Sequence, residues 1–90
     1  MSGKQVDRAE IRRAVREYIL TEFLPGEDPS TLTDETALIS EGVLDSIANA
    51  RMVAFLENRY NILFKPHEVS QDRLDTVDRI VETVENKMNG

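Results

Sequence analysis

The stretch Gly42-Val43-Leu44-Asp45-Ser46-Ile47 puts a serine hydroxyl where an acidic loop meets an amphipathic segment. Met52, Val53, Leu56 and Tyr60 follow at helical spacing, so Ser46 is expected to open a helix. The first turn of a helix has N–H groups without intrahelical acceptors and the positive end of the dipole, which together favour a nearby phosphate. Two chemistries fit this placement. Asp45 and Ser46 cap the helix and do nothing more, or Ser46 is the point at which a phosphate-linked group is attached. Resident nucleophilic catalysis does not fit: Ser46 has no Gly-x-Ser-x-Gly elbow around it, and the single histidine, His67, follows Pro66 as a partly exposed turn residue. The chain has no cysteine, so it has no disulfide and no thiolate ligand, and one histidine builds no metal cluster. Nor does the acidic loop follow the EF-hand pattern, which needs glycine sixth and glutamate twelfth. Counted from Asp28 those places hold Thr33 and Ile39, and from Asp34 they hold Ile39 and Asp45. Glu41 and Asp45 offer at most loose, unspecific cation binding.

Four helices are expected to position this serine. Ile11, Ala14, Val15, Tyr18 and Ile19 form one stripe of a first helix over about residues 6–24, which Pro25-Gly26 ends. Pro29-Ser30 keeps the following stretch irregular, giving a long loop over residues 25–45 pinned by Leu32, Leu38, Ile39 and Leu44. Gly42 supplies a turn conformation closed to other residues. A second helix is predicted over residues 46–60, with Asn61 near its end, and Pro66 starts a short third helix at about 67–71. Asp75 or Thr76 caps a fourth over about 75–87, which buries Val77, Ile80, Val81 and Val84. The fold class is therefore all-α, a four-helix bundle of three long helices and one short. At 90 residues and 40% hydrophobic, the chain supports one modest core in a single domain spanning 1–90. On the second helix, Ile47, Arg51, Ala54 and Asn58 share one face.

Charge narrows the function classes. The net charge is −6, and residues 24–50 hold Glu27, Asp28, Asp34, Glu35, Glu41 and Asp45 without a lysine or arginine. Negative potential gathers beside Ser46. A nucleic-acid binder needs the opposite sign, whereas this distribution steers encounters with basic protein surfaces, unless it serves only to solubilise the chain. No apolar run approaches the ~20 residues of a membrane span, and Met1-Ser2-Gly3-Lys4 leads into charged sequence and not into a signal-peptide core. A cytoplasmic monomer is expected.

From about Ile11 to Val84 the chain resembles an acyl or peptidyl carrier protein. Thr33-Asp34-Glu35-Thr36-Ala37-Leu38-Ile39 is similar to the family's segment before its modified serine, and Leu44-Asp45-Ser46-Ile47 to its Asp-Ser-Leu signature, with isoleucine in the last place. Pro66-His67-Glu68-Val69 resembles the opening of the family's short third helix, and Leu74-Asp75-Thr76-Val77-Asp78-Arg79-Ile80 the approach to its fourth. The resemblance implies that Ser46 receives 4′-phosphopantetheine from coenzyme A through a phosphodiester, with Asp45 shaping the helix entrance. It also implies three kinds of partner: a phosphopantetheinyl transferase, an acyl- or aminoacyl-loading enzyme, and a downstream acyltransferase, synthase or tailoring enzyme. Catalysis then lies in those partners. Leu44, Ile47, Arg51, Ala54, Asn58 and Glu41 are the residues expected to meet them.

The sequence departs from the fatty-acid branch, whose members have Gly-x-Asp-Ser-Leu and an acidic second helix. Here one more residue separates Gly42 from Asp45-Ser46, and Ala48, Asn49 and Arg51 follow. That pattern is more similar to free-standing carriers of specialised pathways, including D-alanyl, methoxymalonyl and aminoacyl carriers. The expectation is a carrier that holds a small acyl or aminoacyl group as a thioester for polyketide or nonribosomal peptide assembly, with Phe55 narrowing the interior against long chains. Two rival readings are a fatty-acid-type carrier and a helical adaptor that binds proteins through its acidic loop and never bears a cofactor. Intact mass after exposure to coenzyme A and a transferase separates the adaptor from either carrier.

Overall fold

The computed structural model describes residues 7–69 and 71–89. It is all-helical, with no strand among the described residues: α1 (Arg8–Glu22), α2 (Ser46–Tyr60), α3 (Gln71–Leu74) and α4 (Val77–Asn89), with 3-10 turns at Pro29–Thr31 and Pro66–Val69.

Helix boundaries follow from local capping. Asp7 has extended backbone and its carboxylate accepts from Ala9 N at 2.9 Å, so α1 begins at Arg8 and not near residue 6, which lies outside the described residues. It ends at Glu22, where Phe23 N and Leu24 N both turn back onto Ile19 O. Leu24 precedes Pro25, whose ring disfavours helical backbone in the residue before it. α2 ends on Asn61, which adopts the left-handed conformation (φ 55°) and donates its N–H to Glu57 O.

The short helix expected at 67–71 divides in two. Pro66–Val69 is a 3-10 turn, and α3 then occupies Gln71–Leu74. Glu68 holds the first turn closed, because its carboxylate accepts from Lys65 N at 2.8 Å while its own N–H returns to Lys65 O at 2.8 Å. α4 starts at Val77, two residues later than expected. Thr76 is its cap, with Oγ1 accepting from Arg79 N at 3.1 Å, and the Asp75 carboxylate is engaged elsewhere.

One core joins these elements. Ile11, Val15 and Ile19 of α1, Met52 and Leu56 of α2, and Val77, Ile80, Val81 and Val84 of α4 are fully buried, with α1 packed directly on α4. Leu32, Leu38 and Leu44, between α1 and α2, enter the same core. Each such side chain stabilises the fold by about 1.5–3 kcal/mol, so the three leucines fasten the segment joining α1 to α2 to the core. Surface ion pairs such as Arg8–Glu85 (2.6 Å) and Arg59–Glu10 (2.8 Å) add at most about 1 kcal/mol each.

Phe55 takes a different place from the one expected. It is half-buried and stacks on Tyr18, with ring centroids 4.1 Å apart and planes 10° from parallel, along the groove between α1 and α2. Met52 and Leu56 fill the interior beside it, so the width of the core is not set by Phe55.

Candidate functional site

Ser46 is the first residue of α2, and the capping of that helix is done by its neighbour. Asp45 has extended backbone, and its Oδ1 accepts from Ala48 N at 2.8 Å, while Asn49 N makes the first helical bond to Asp45 O at 2.8 Å. Among the described residues, these bonds leave the N–H groups of Ser46 and Ile47 at the helix start without acceptors. Ser46 is exposed, and among the described residues its hydroxyl makes no hydrogen bond. A cap explains Asp45 completely and leaves Ser46 unexplained.

An open cavity of about 460 Å³ adjoins the hydroxyl, lined by Ile39, Gly42, Leu44, Asp45, Ser46, Asn49 and Val69. One wall comes from the chain just before α2 and the opposite one from the 3-10 turn at Pro66–Val69. Gly42 enables the first wall to fold back, since its φ of +83° is disfavoured for residues with a Cβ, and Gly42 N bonds Ile39 O at 3.1 Å. Leu44 N bonds Leu38 O at 3.0 Å, which closes the segment into a ring at the foot of the cavity.

Two further anchors hold the same segment. Asp75 accepts at Oδ1 from Ile39 N (2.8 Å) and Ser40 N (3.0 Å) and at Oδ2 from Ser40 Oγ (2.9 Å), while its carbonyl accepts from Leu38 N (2.6 Å). At the far end, Arg12 bonds Asp78 (2.8 Å) and lies 3.2 Å from Asp34, and Arg16 donates to the carbonyls of Leu32 and Pro29. The Asp78 bond, with help from the Asp34 charge, raises the pKa of Arg12 against the opposing effect of burial. Sequence reading missed this role for Asp75, because an acid before Thr-Val is indistinguishable from a helix cap until the turn it meets is in place.

The surroundings of Ser46 fit a phosphodiester carrying an amide-rich arm. A phosphate on Oγ would lie at the positive end of a 15-residue helix beside two N–H groups without acceptors. Along the wall, the carboxamide oxygen of Asn49 is buried with no hydrogen-bond partner among the described residues, an unmet acceptor of the kind an amide N–H satisfies. Nothing here forms a catalytic pair: His67 is exposed in its own turn and does not line the cavity, and no group of three or more acidic or histidine side chains among the described residues could hold a metal.

The residues expected to face partners separate into two sets. Ile47 is 71% exposed, and Arg51, Ala54 and Asn58 continue from it as an exposed strip along α2. Glu41 is exposed at the rim of the loop. Leu44 does not belong with them. It is 1% exposed and part of the core, because the ring closed by Leu38 and Leu44 turns its side chain inward. Among the described residues no helix is long and apolar enough to cross a membrane.

Comparison with known proteins bears on the family. No model of a known protein family matches the chain. The D-alanyl carrier protein of Streptococcus sanguinis is 36% identical over 80 residues, covering 89% of this chain and 98% of the relative. That of Streptococcus uberis is 36% identical over 77 residues (83% and 96%), and that of Streptococcus gordonii 38% identical over 63 (70% and 78%). These relatives are carriers and not enzymes, and the first two match nearly end to end; with that likeness added to a helix-opening serine that its own cap does not need, the chain belongs to the acyl carrier protein family and is itself no enzyme.

Proposed function

We propose that this protein is an aminoacyl carrier whose Ser46 bears 4′-phosphopantetheine, and that its cargo is a small amino acid of the D-alanine class. The observation that carries the proposal is the exposed, unengaged Ser46 hydroxyl at the start of α2, already capped by Asp45. When bound, the arm supplies a thiol that holds the aminoacyl group as a thioester. The chain's own residues do the rest. Asp45 fixes the first turn, the N–H groups of Ser46 and Ile47 stabilise phosphate charge, and Ile47 with Arg51, Ala54 and Asn58 presents the protein to its transferase, loading enzyme and acceptor enzyme. In this reading α3 is the short third helix of the four-helix carrier fold and the protein acts as a cytoplasmic monomer of one domain. Sequence patterning points to an acyl or aminoacyl cargo for polyketide or nonribosomal peptide assembly; the names of the relatives favour the aminoacyl cargo and lend no support to that pathway.

Incubation with a phosphopantetheinyl transferase, magnesium and coenzyme A is expected to add one phosphopantetheinyl group, detected by intact mass, and Ser46→Ala is expected to fold and stay unmodified. Modification that persists in Ser46→Ala, or a wild type left unmodified by several competent transferases, refutes the assignment. Loading of the modified protein by a D-alanine-activating ligase then tests the cargo, against L-alanine and short acyl donors.

A further inference from the structure

Asp75 lies 35 residues from Ser40 in sequence, yet it fastens the wall beside Ser46. Two consecutive N–H groups, of Ile39 and Ser40, converge on one carboxylate oxygen while the Ser40 hydroxyl takes the other. That arrangement fixes the orientation of two peptide planes, and bonds to an ionised acceptor are stronger than neutral ones. Beyond the turn, Gly42 N bonds Ile39 O and Leu44 N bonds Leu38 O, so the pinned turn and the residues that follow it move together. Ile39, Gly42 and Leu44 of this segment line the cavity, and Leu44 runs directly into Asp45 and Ser46. α4 has its own cap in Thr76.

We infer that Asp75 is a positioning residue for the modification of Ser46: its carboxylate holds the Ile39–Leu44 wall in the arrangement that a transferase engages. This inference rests on the assignment of Ser46 as the attachment site. Without the carboxylate, the segment samples other arrangements and only a fraction of molecules is competent to dock. Apparent affinity falls by that fraction, while the docked complex reacts as before. The KM for the carrier therefore rises and kcat does not.

The experiment measures initial rates of Ser46 modification on the full chain at varied carrier concentration, with melting temperature recorded for each variant. Asp75→Ala is expected to raise KM roughly tenfold, with kcat within about twofold of wild type. Asp75→Asn, whose amide oxygen still accepts from both N–H groups, is expected to recover part of that loss, and it keeps the test alive if Asp75→Ala does not fold. Asp34→Asn is the control, since it weakens the Arg12 and Arg16 anchor at the other end of the same loop. It is expected to lower the melting temperature and leave KM unchanged. An unchanged KM in both Asp75 variants, or an equal rise in Asp34→Asn, overturns the positioning role. A wild type that gains no mass at all overturns the carrier assignment and this inference with it, an outcome distinguishable from the others at the first measurement.

Discussion

Leu44 and Ile47 flank the Asp-Ser pair, and substitution by alanine separates their roles. Leu44 is 1% exposed, so Leu44→Ala removes three carbons from water-free surroundings. At about 0.8 kcal/mol per methylene the transfer loss is about 2.4 kcal/mol. The cavity left behind raises the total to about 3–4 kcal/mol, within the usual spread for buried leucines. For a domain of this size 1 kcal/mol moves the melting temperature by about 4–8 °C, so a fall of more than about 10 °C is expected. Ile47 has 71% of its surface already in water, and Ile47→Ala is expected to change stability by no more than about 0.5 kcal/mol. Its effect should appear in binding, as a weaker apparent affinity for the transferase. Thermal and urea unfolding followed by circular dichroism, with transferase kinetics on the same samples, measures both. Equal destabilisation by the two substitutions, or a Leu44→Ala protein within about 1 kcal/mol of wild type, would show the loop ring to be wrongly described.

Three further outcomes are expected. Asp45→Ala should lose about 1 kcal/mol through the missing acceptor for Ala48 N, and Asp45→Asn should retain most of it, as paired urea melts will show. At Gly42 a Cβ would meet nothing within 4 Å, so Gly42→Ala carries backbone strain alone, about 1–2 kcal/mol, and Gly42→Asn should be milder because asparagine tolerates positive φ. Glu68 has its pKa lowered from 4.5 to about 2, first by the N–H of Lys65 and then by Lys87, whose ammonium lies 2.7 Å away. A depressed acid stabilises the fold above its ordinary pKa and loses that contribution as pH falls from about 4.5 towards 2, so the gap in melting temperature between wild type and Glu68→Gln should be wide at pH 6 and narrow at pH 3. A constant gap would sever Glu68 from the acid response.

What the sequence disclosed and what it withheld divide along a physical line. The stripes Ile11-Val15-Ile19 and Val77-Ile80-Val81-Val84 are local and periodic, and the core contains them. The helix-opening position of Ser46 follows from Met52 and Leu56 downstream. Capping proved only half legible: Asp45 was readable, but Asp7, Thr76 and the Glu68 turn depend on which of several polar residues wins each N–H, and α1, α3 and α4 shifted accordingly. Leu44 reads both as a pin of the loop and as a residue facing partners, and the structure keeps the first. Its neighbours Val43, Asp45 and Ser46 face outward or partly so, and only the bond from Leu44 N to Leu38 O decides that it turns in. Asp75 was beyond local reasoning, since its partners lie on the other side of α2.

The ties between the α1–α2 connection and α4 have a consequence for how the molecule breathes. Leu38 N, Ile39 N and Ser40 N end on Asp75, Asp78 N ends on Asp34 O, and Arg12 spans Asp34 and Asp78. Surface connections ordinarily open with little cost and exchange their amide hydrogens early, whereas cooperative units open together. Here the connection is expected to belong to the same unit as α4. In native-state hydrogen exchange the amides of Leu38 and Ile39 should share the opening free energy of α4 and not that of a loop, so the segment that presents Ser46 stays ordered for as long as the C-terminal helix stays docked.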